Sequence, residues 1–266
     1  MAWEAKRILI TVRTYPTPAR KSVETSCTGG ITADGQWIRL FPMPYRDLKP
    51  EQKFSKYQWI EVDIQKAKND PRSESFNPKR ESIKPVPGIL ATDHEWQARK
   101  DLVFPLKAHC LCCLKKQRSE RGEPTLGIFK PAKIERLEIE PDDADWTGEQ
   151  KAILQQRSLF ETEPKETLAK IPFKFRYKFR CADAACPKDG HTLICTDWEM
   201  GESYRKYRRE YGDTGWEAAF RNRYEREMIE RFDTHFYVGT LHQYPDTWII
   251  VGLFYPLPVR QTKLFK

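Results

Sequence analysis

Phe173-Lys174-Phe175-Arg176-Tyr177-Lys178-Phe179-Arg180 alternates strictly between aromatic and cationic residues, then runs straight into Cys181, Cys186, His191 and Cys195, with Asp197 and Glu199 just beyond. Successive side chains of a strand point to opposite faces, so the run predicts a β-strand with four rings on one side and four cations on the other. Four rings on one strand need burial, which makes the aromatic face core and leaves the cationic face for water or a partner.

Working outward, most of the chain reads as β structure. Arg7 to Val12 is a β-branched run, and Cys27–Thr32 and Trp37–Phe41 flank Ala33-Asp34-Gly35-Gln36, an Asp-Gly turn that predicts a hairpin. Tyr57 to Ile64 alternates as a half-exposed strand, with Ile60, Val62 and Ile64 opposite Glu61 and Asp63. The proline-rich, polar stretch 66–87 predicts a long surface loop or a clamp. Asp93–Asp101 and Gly148–Phe160 predict helices, and Leu126–Phe129 and Lys133–Ile139 predict strands. Trp216, Phe220, Tyr224, Met228 and Phe232 recur every fourth residue, the stripe of a helix packed on a sheet. His235–Leu241 and Thr247–Phe254 close the chain as two further strands. The expected fold class is α+β and β-rich, with barrel-like or OB-like sheets, a few helices and a small zinc-knuckle element. Two units are expected, a barrel-like one over residues 1–118 and an α+β one over 119–266.

Cys181, Cys186, His191 and Cys195 have spacings of four, four and three intervening residues, short enough to close around one ion. Pro187 and Gly190 help the chain reverse between the two pairs, and thiolates with an imidazole suit tetrahedral zinc better than magnesium or calcium. Two alternatives stand beside that set. Cys195, next to Ile194, also reads as a buried hydrophobe, which leaves a three-ligand site, a fourth ligand from Cys110, Cys112 or Cys113, or no metal at all. An iron-sulfur cluster built from both cysteine groups is the second, although no ferredoxin spacing is present. His109-Cys110-Leu111-Cys112-Cys113 by itself reads as a small buried strand that uses its cysteines as hydrophobes.

Lys174, Arg176, Lys178 and Arg180 repeat at about 6–7 Å along one strand face, close to the phosphate repeat of a single nucleic-acid strand. A second basic cluster, Arg205, Lys206, Arg208 and Arg209, follows Tyr204. Net charge is +8, from 46 basic and 38 acidic residues, which favours an anionic partner on an otherwise mixed surface. The expected role is binding of nucleic acid, DNA or RNA, with protein partners as a further expectation because several tryptophans can serve as interface anchors.

The stretch Cys27-Thr28-Gly29-Gly30-Ile31, followed by Gly35-Gln36-Trp37-Ile38-Arg39, resembles the opening of the dual-OB-fold family of uncharacterised prokaryotic domains. That family carries a cysteine, a small residue and a glycine, then a glycine-rich turn and a tryptophan-isoleucine-arginine step. The resemblance covers about a tenth of the chain, and implies small β-barrels with a nucleic-acid or ligand surface near Trp37 and Arg39.

Two other functional classes stand beside binding. Asp197 and Glu199 would share a face if Cys195–Glu199 were a strand, where they could hold a divalent ion for phosphodiester cleavage; a helix would point them apart. A non-catalytic interaction subunit of a larger assembly is the other. No phosphate-cradling loop, dinucleotide fingerprint or nucleophile elbow is present. The seven cysteines are odd in number and clustered, unlike a disulfide framework, and no signal peptide precedes the short apolar run ending at Val12. The longest apolar stretch, Trp248–Tyr255, is far shorter than the roughly 20 residues of a membrane helix, so a cytoplasmic protein is expected.

Overall fold

Ile8, Leu9, Ile10 and Val12 are all buried, so the strand that carries them, β1 (Glu4–Arg13), must be covered on both faces. It pairs antiparallel with β3 (Val23–Thr32) on one edge and with β5 (Gln58–Lys66) on the other. β4 (Trp37–Met43) follows β3 through the predicted Asp-Gly turn, with Gly35 in the left-handed region at φ 77°. β4 lies parallel to β6 (Ser75–Pro78), which pairs antiparallel with β5, so the circuit β1-β3-β4-β6-β5 returns to β1 as a closed, OB-like five-stranded barrel. β2 (Thr17–Ala19) extends β3, and β7 (Lys84–Ile89) adds to β5. The computed structural model that shows this describes residues 2–20, 22–156 and 166–259.

The glycine pair of β3 has a steric reason. A Cβ on Gly30 would stand 2.5 Å from the Leu9 carbonyl oxygen and 2.7 Å from Ile8 Cγ2, both in the neighbouring strand. The Gly30→Ala variant is therefore expected to lose about 1–3 kcal/mol of stability, read as a lower denaturant midpoint. An unchanged midpoint would show that β1 can move away from β3.

Stretch 66–87 departs from the expected loop, because β6 and β7 run through it. Its prolines fit nonetheless, since Pro85 and Pro87 lie on β7, which ends the sheet path. The segment between β5 and β6 does clamp. Asp70 holds Arg72 through both carboxylate oxygens at 2.8 and 2.6 Å, and Arg72 donates to the Thr240 carbonyl at 2.6 Å.

The second half is built from two three-stranded sheets. One contains β8 (Leu126–Phe129), β12 (His235–Thr240) and β13 (Trp248–Phe254); the other contains β9 (Lys133–Pro141), β10 (Phe173–Arg180) and β11 (His191–Ile194). A parallel bridge, Cys195 to Ile250, joins them. Phe175, Tyr177 and Phe179 are buried as the alternation predicts. They face the long helix α4 (Trp198–Arg221) and its π-helical continuation Asn222–Arg231, whose Trp216, Phe220, Tyr224 and Met228 are buried in the same core. Phe175 and Phe220 stack with ring centroids 4.5 Å apart.

Three shorter helices complete the described residues: α1 (Asp93–Val103), α2 (Leu111–Arg121) and α3 (Gly148–Gln156). The expected continuation of α3 to Phe160 lies outside those residues. The cysteine segment expected as a buried strand is the start of α2, with Cys110 as its N-cap accepting from the Cys113 N–H at 3.1 Å and Gly122 ending the helix at φ 75°. Cys110, Leu111 and Leu114 of this segment pack into the same apolar core as Leu137, Phe179 and Phe220. A shared apolar cluster, with Val12, Ile31 and Tyr57 against Ile128, Tyr237, Val251 and Phe254, joins the two units. Among the described residues no helix is long and apolar enough to cross a membrane.

Candidate metal centre

Cys181 follows directly on β10 and His191 opens β11, so the hairpin between those strands carries three potential metal ligands, Cys181, Cys186 and His191. The hairpin is tightened by the Gly190 N–H donating to the Pro187 carbonyl at 2.8 Å. Gly190 sits at φ 72°, and a Cβ there would meet the Phe179 carbonyl oxygen at 2.5 Å, so glycine is required twice over. The pairing of Phe179 with His191 fixes the imidazole at the end of the sheet, and the Cys181 N–H donates to Cys186 Sγ at 3.3 Å.

The fourth member comes from α2. Ligand atoms of Cys112, Cys181, Cys186 and His191 all lie within 4.8 Å of one another, and Cys112 Sγ is 3.2 Å from His191 Nε2. This group of three sulfurs and one imidazole nitrogen can hold a metal ion. Burial, followed by the adjacent Cys181, Cys110 and Cys186 sulfurs, pushes the Cys112 thiol up to about 12, so a cation is what would favour its thiolate. Burial and then Lys115 lower the His191 pKa, which keeps the imidazole neutral and its lone pair available.

Cys195 stands outside this group, which corrects the sequence-derived ligand set. It lies four residues beyond His191 along an extended segment, about 13 Å at strand rise, too far to share an ion. Its thiol is buried, and burial, then Asp197, raise its pKa. Its backbone N–H donates to the Phe175 carbonyl at 2.7 Å. It is the buried hydrophobe of the alternative reading. Cys110 and Cys113 group with Asp183 instead of joining the four.

The cationic face of β10 is not a row of free charges. Lys174 pairs with Asp142 at 3.0 Å, Arg176 with Glu140 at 2.8 Å, and Lys178 and Arg180 with Glu135 at 3.9 and 2.7 Å. The acids come from β9 and the residue after it, because β9 carries its own alternation and pairs antiparallel with β10. In the second cluster Arg205 is paired with Glu202 and Glu166, Lys206 with Glu210, and Arg208 with Asp213. Arg209 is exposed. Arg39 is only 4% exposed and donates to the carbonyls of Thr240 and Thr125, each at 3.1 Å, and to Glu74 at 3.3 Å. It joins the two units from the inside. Trp37 packs edge-on against Tyr237 with centroids 6.1 Å apart. Arg39 is thus closed off from solvent, whereas Trp37 stays half-buried and lines a small surface cleft with Lys6, Asp34 and Gln36.

Asp197 and Glu199 do not share a strand, since Asp197 makes only an isolated antiparallel bridge to Thr14 and α4 begins at the next residue. Asp197 is the N-cap of α4, its Oδ1 accepting from the Glu199 N–H at 2.8 Å and its Oδ2 from the Leu253 N–H at 2.9 Å. Lys56, invisible to local sequence reading, reaches both carboxylates, with Nζ 3.3 Å from Asp197 and 3.1 Å from Glu199. The helix therefore does not point the two apart as expected; it turns them onto one ammonium. Burial by itself would lower the Lys56 pKa, but Asp197 and Glu199 more than reverse it, and the net direction is up. Burial pushes Asp197 upward while Lys56 and two backbone donors pull it down; with three donors on one carboxylate, the ion pair is the state we assign.

Two residue types that matter here carried little local warning. Cys112 was one of three candidate outside donors, and only the α2 helix singles it out. Asp183 carries no signal in the sequence beyond its place between Cys181 and Cys186. No curated protein matches the chain. Residues 4–105, which include the barrel, match a domain of unknown function (DUF8758). Residues 107–266 hold both sheets and every member of the Cys/His group, and they match the domain of unknown function (DUF8757) over more than half of the chain, so the chain belongs to that family.

Proposed function

We propose that this protein binds nucleic acid through its barrel and that a zinc ion staples its second unit. Zinc is supported by the donor set. With Zn–S of about 2.3 Å and Zn–N of about 2.0–2.1 Å, a tetrahedral ion separates sulfur and nitrogen ligands by roughly 3.5 Å. The Cys112 to His191 distance of 3.2 Å is close to that. Three thiolates and one imidazole form a closed structural site, with no position left for substrate.

The observation that carries the binding reading is a cleft on the OB-like barrel with an exposed ring in it. Phe41, at the end of β4, is 42% exposed although it is large and apolar. The cleft beside it measures about 570 Å³ and is lined by Arg20, Lys68, Asn69, Asn77 and His242. That volume falls within the roughly 300–1,000 Å³ of small-ligand sites. A ring to stack a base, a cation at Lys68 for phosphate and the Asn69 amide for a base edge are the parts a single-stranded site uses, while Arg20 is paired with Glu149 at 3.1 Å and His242 with Asp70, a further residue of the cleft, at 3.6 Å. The ion-paired β10 stripe is thereby assigned a structural role.

Fluorescence anisotropy with single-stranded DNA and RNA oligonucleotides tests this. Binding at low salt that falls steeply with added salt is expected. The Phe41→Ala variant should weaken it by about 1–3 kcal/mol, the usual worth of one stacked base. Lys174→Ala should leave it unchanged. No detectable affinity at low salt for either nucleic acid would end this reading.

A further inference from the structure

Beside the Cys3His group lies a second convergence of metal donors, formed by different residues of the same two segments. Cys110 Sγ and Cys113 Sγ are 2.8 Å apart across the first turn of α2. Asp183 Oδ2 stands 3.7 Å from the first and 3.5 Å from the second. The three ligand atoms lie within 4.8 Å of one another, with Cys110 buried and the other two residues half-buried.

We propose that Cys110, Cys113 and Asp183 bind a second zinc-class divalent ion, with water as its fourth ligand. The carboxylate is aimed rather than adrift. Its Oδ1 is held by the Ala185 N–H at 2.7 Å, which leaves Oδ2 directed at the two sulfurs. Zinc bonds of about 2.3 Å to sulfur and 2.0–2.2 Å to a carboxylate oxygen place those ligands roughly 3.6 Å apart in a tetrahedron, and both sulfur-oxygen separations fall there. The sulfurs must spread by about 1 Å to reach the tetrahedral edge of roughly 3.8 Å, a side-chain adjustment. Cys110 Sγ also accepts the Cys113 N–H at 3.1 Å, a backbone contact that holds the sulfur on the side of the Asp183 carboxylate.

Three protein donors and one open position distinguish this site from its closed neighbour. The two also depend on each other in one direction. The Cys186 N–H donates to the Asp183 carbonyl at 3.0 Å, so the loop that presents Asp183 is the loop closed by Cys181, Cys186 and His191. Loss of the first ion disorganises the second site, whereas loss of the second spares the first.

Elemental analysis of protein purified under reductant without chelator, then saturated with zinc and freed of excess, decides the matter. Two zinc ions per chain are expected, falling to one in the Cys110→Ser/Cys113→Ser double variant. Because Cys110 is buried and its replacement can disturb folding, Asp183→Asn supplies an independent reading. That variant should hold two ions but surrender one of them at a chelator concentration the wild type withstands. One ion per chain in the saturated wild type, two in the double variant, or unchanged chelator resistance in Asp183→Asn would overturn the proposal. A single ion that Cys112→Ser removes would refute the second site while leaving the closed one intact, and oligonucleotide binding is a separate readout from either count.

Discussion

The Cys112→Ser variant is expected to lose its metal to a chelator that wild-type protein withstands, and with it the cooperative unfolding of the C-terminal unit. Cys112 lies about seventy residues before its partners, so the ion closes a long loop between α2 and the β10–β11 hairpin. Structural zinc is worth about 10–16 kcal/mol in zinc-finger peptides, as much as the whole stability of a typical domain, about 5–15 kcal/mol. Here a large core shares the burden. Phe129, Phe179, Phe236 and Phe220 are fully buried without the ion's help. Even so, α2 rests on few apolar contacts, since only Leu111 and Leu114 of its eleven residues are buried. Thermal melts with and without chelator measure the effect: wild type should fall by roughly 10 °C or more on chelation, and the variant should start near the chelated value. Cys195→Ala is the control, expected to cost packing free energy while metal content stays intact. A wild-type melting temperature that chelator does not move would remove the structural role of the ion.

A second large loss is expected in Lys56→Met. Lys56 precedes β5 of the barrel, and Asp197 caps α4 of the other unit, so their contact ties the two halves together beside the shared apolar cluster. Asp197 is 3% exposed, and removal of its ammonium partner leaves a carboxylate in a site that water scarcely reaches. Breaking one side of a buried pair costs about 3–5 kcal/mol, which in a chain of this size lowers the melting temperature by roughly 6–20 °C. The loss should be partly recovered in the Lys56→Met/Asp197→Asn double variant, because the neutral amide no longer needs the cation and its carbonyl still accepts the α4 cap, although its NH2 group gives up the bond from the Leu253 N–H. A double-mutant cycle supplies the coupling. Additive losses would mean that Lys56 and Asp197 stabilise the fold independently. The same set separates structure from chemistry at this position: a variant that is destabilised yet cleaves or fails to cleave nucleic acid as wild type does clears Asp197 of a catalytic role.

Much of the fold was legible because the deciding patterns are local. The period of two in Phe173–Arg180 marks β10 and its buried ring face, the Asp34-Gly35 turn marks the β3–β4 hairpin, and the fourfold recurrence from Trp216 to Met228 marks the helix that covers the sheet. Each of these follows from backbone geometry within a dozen residues. The stretch holding β6 and β7 reads as a loop in sequence because those strands are short and proline-bearing, and only pairing against β4 and β5 makes them strands.

The candidate site divides along the same line. Sequence by itself determined that Cys181, Cys186 and His191 sit on one reversing loop, since a few residues of chain cannot carry them far apart, and that the rings of β10 are core. Tertiary structure alone decided the rest. It chose Cys112 over Cys195 because strand rise carries Cys195 away while α2 docks beside the hairpin. It supplied Glu135, Asp142 and Glu140 to the cations of β10, and Lys56 to Asp197, from segments that only folding brings near. The physical reason is that spacing along the chain fixes distance only over a few residues, whereas a charge or a ligand needs a partner within about 4 Å whatever the separation in sequence.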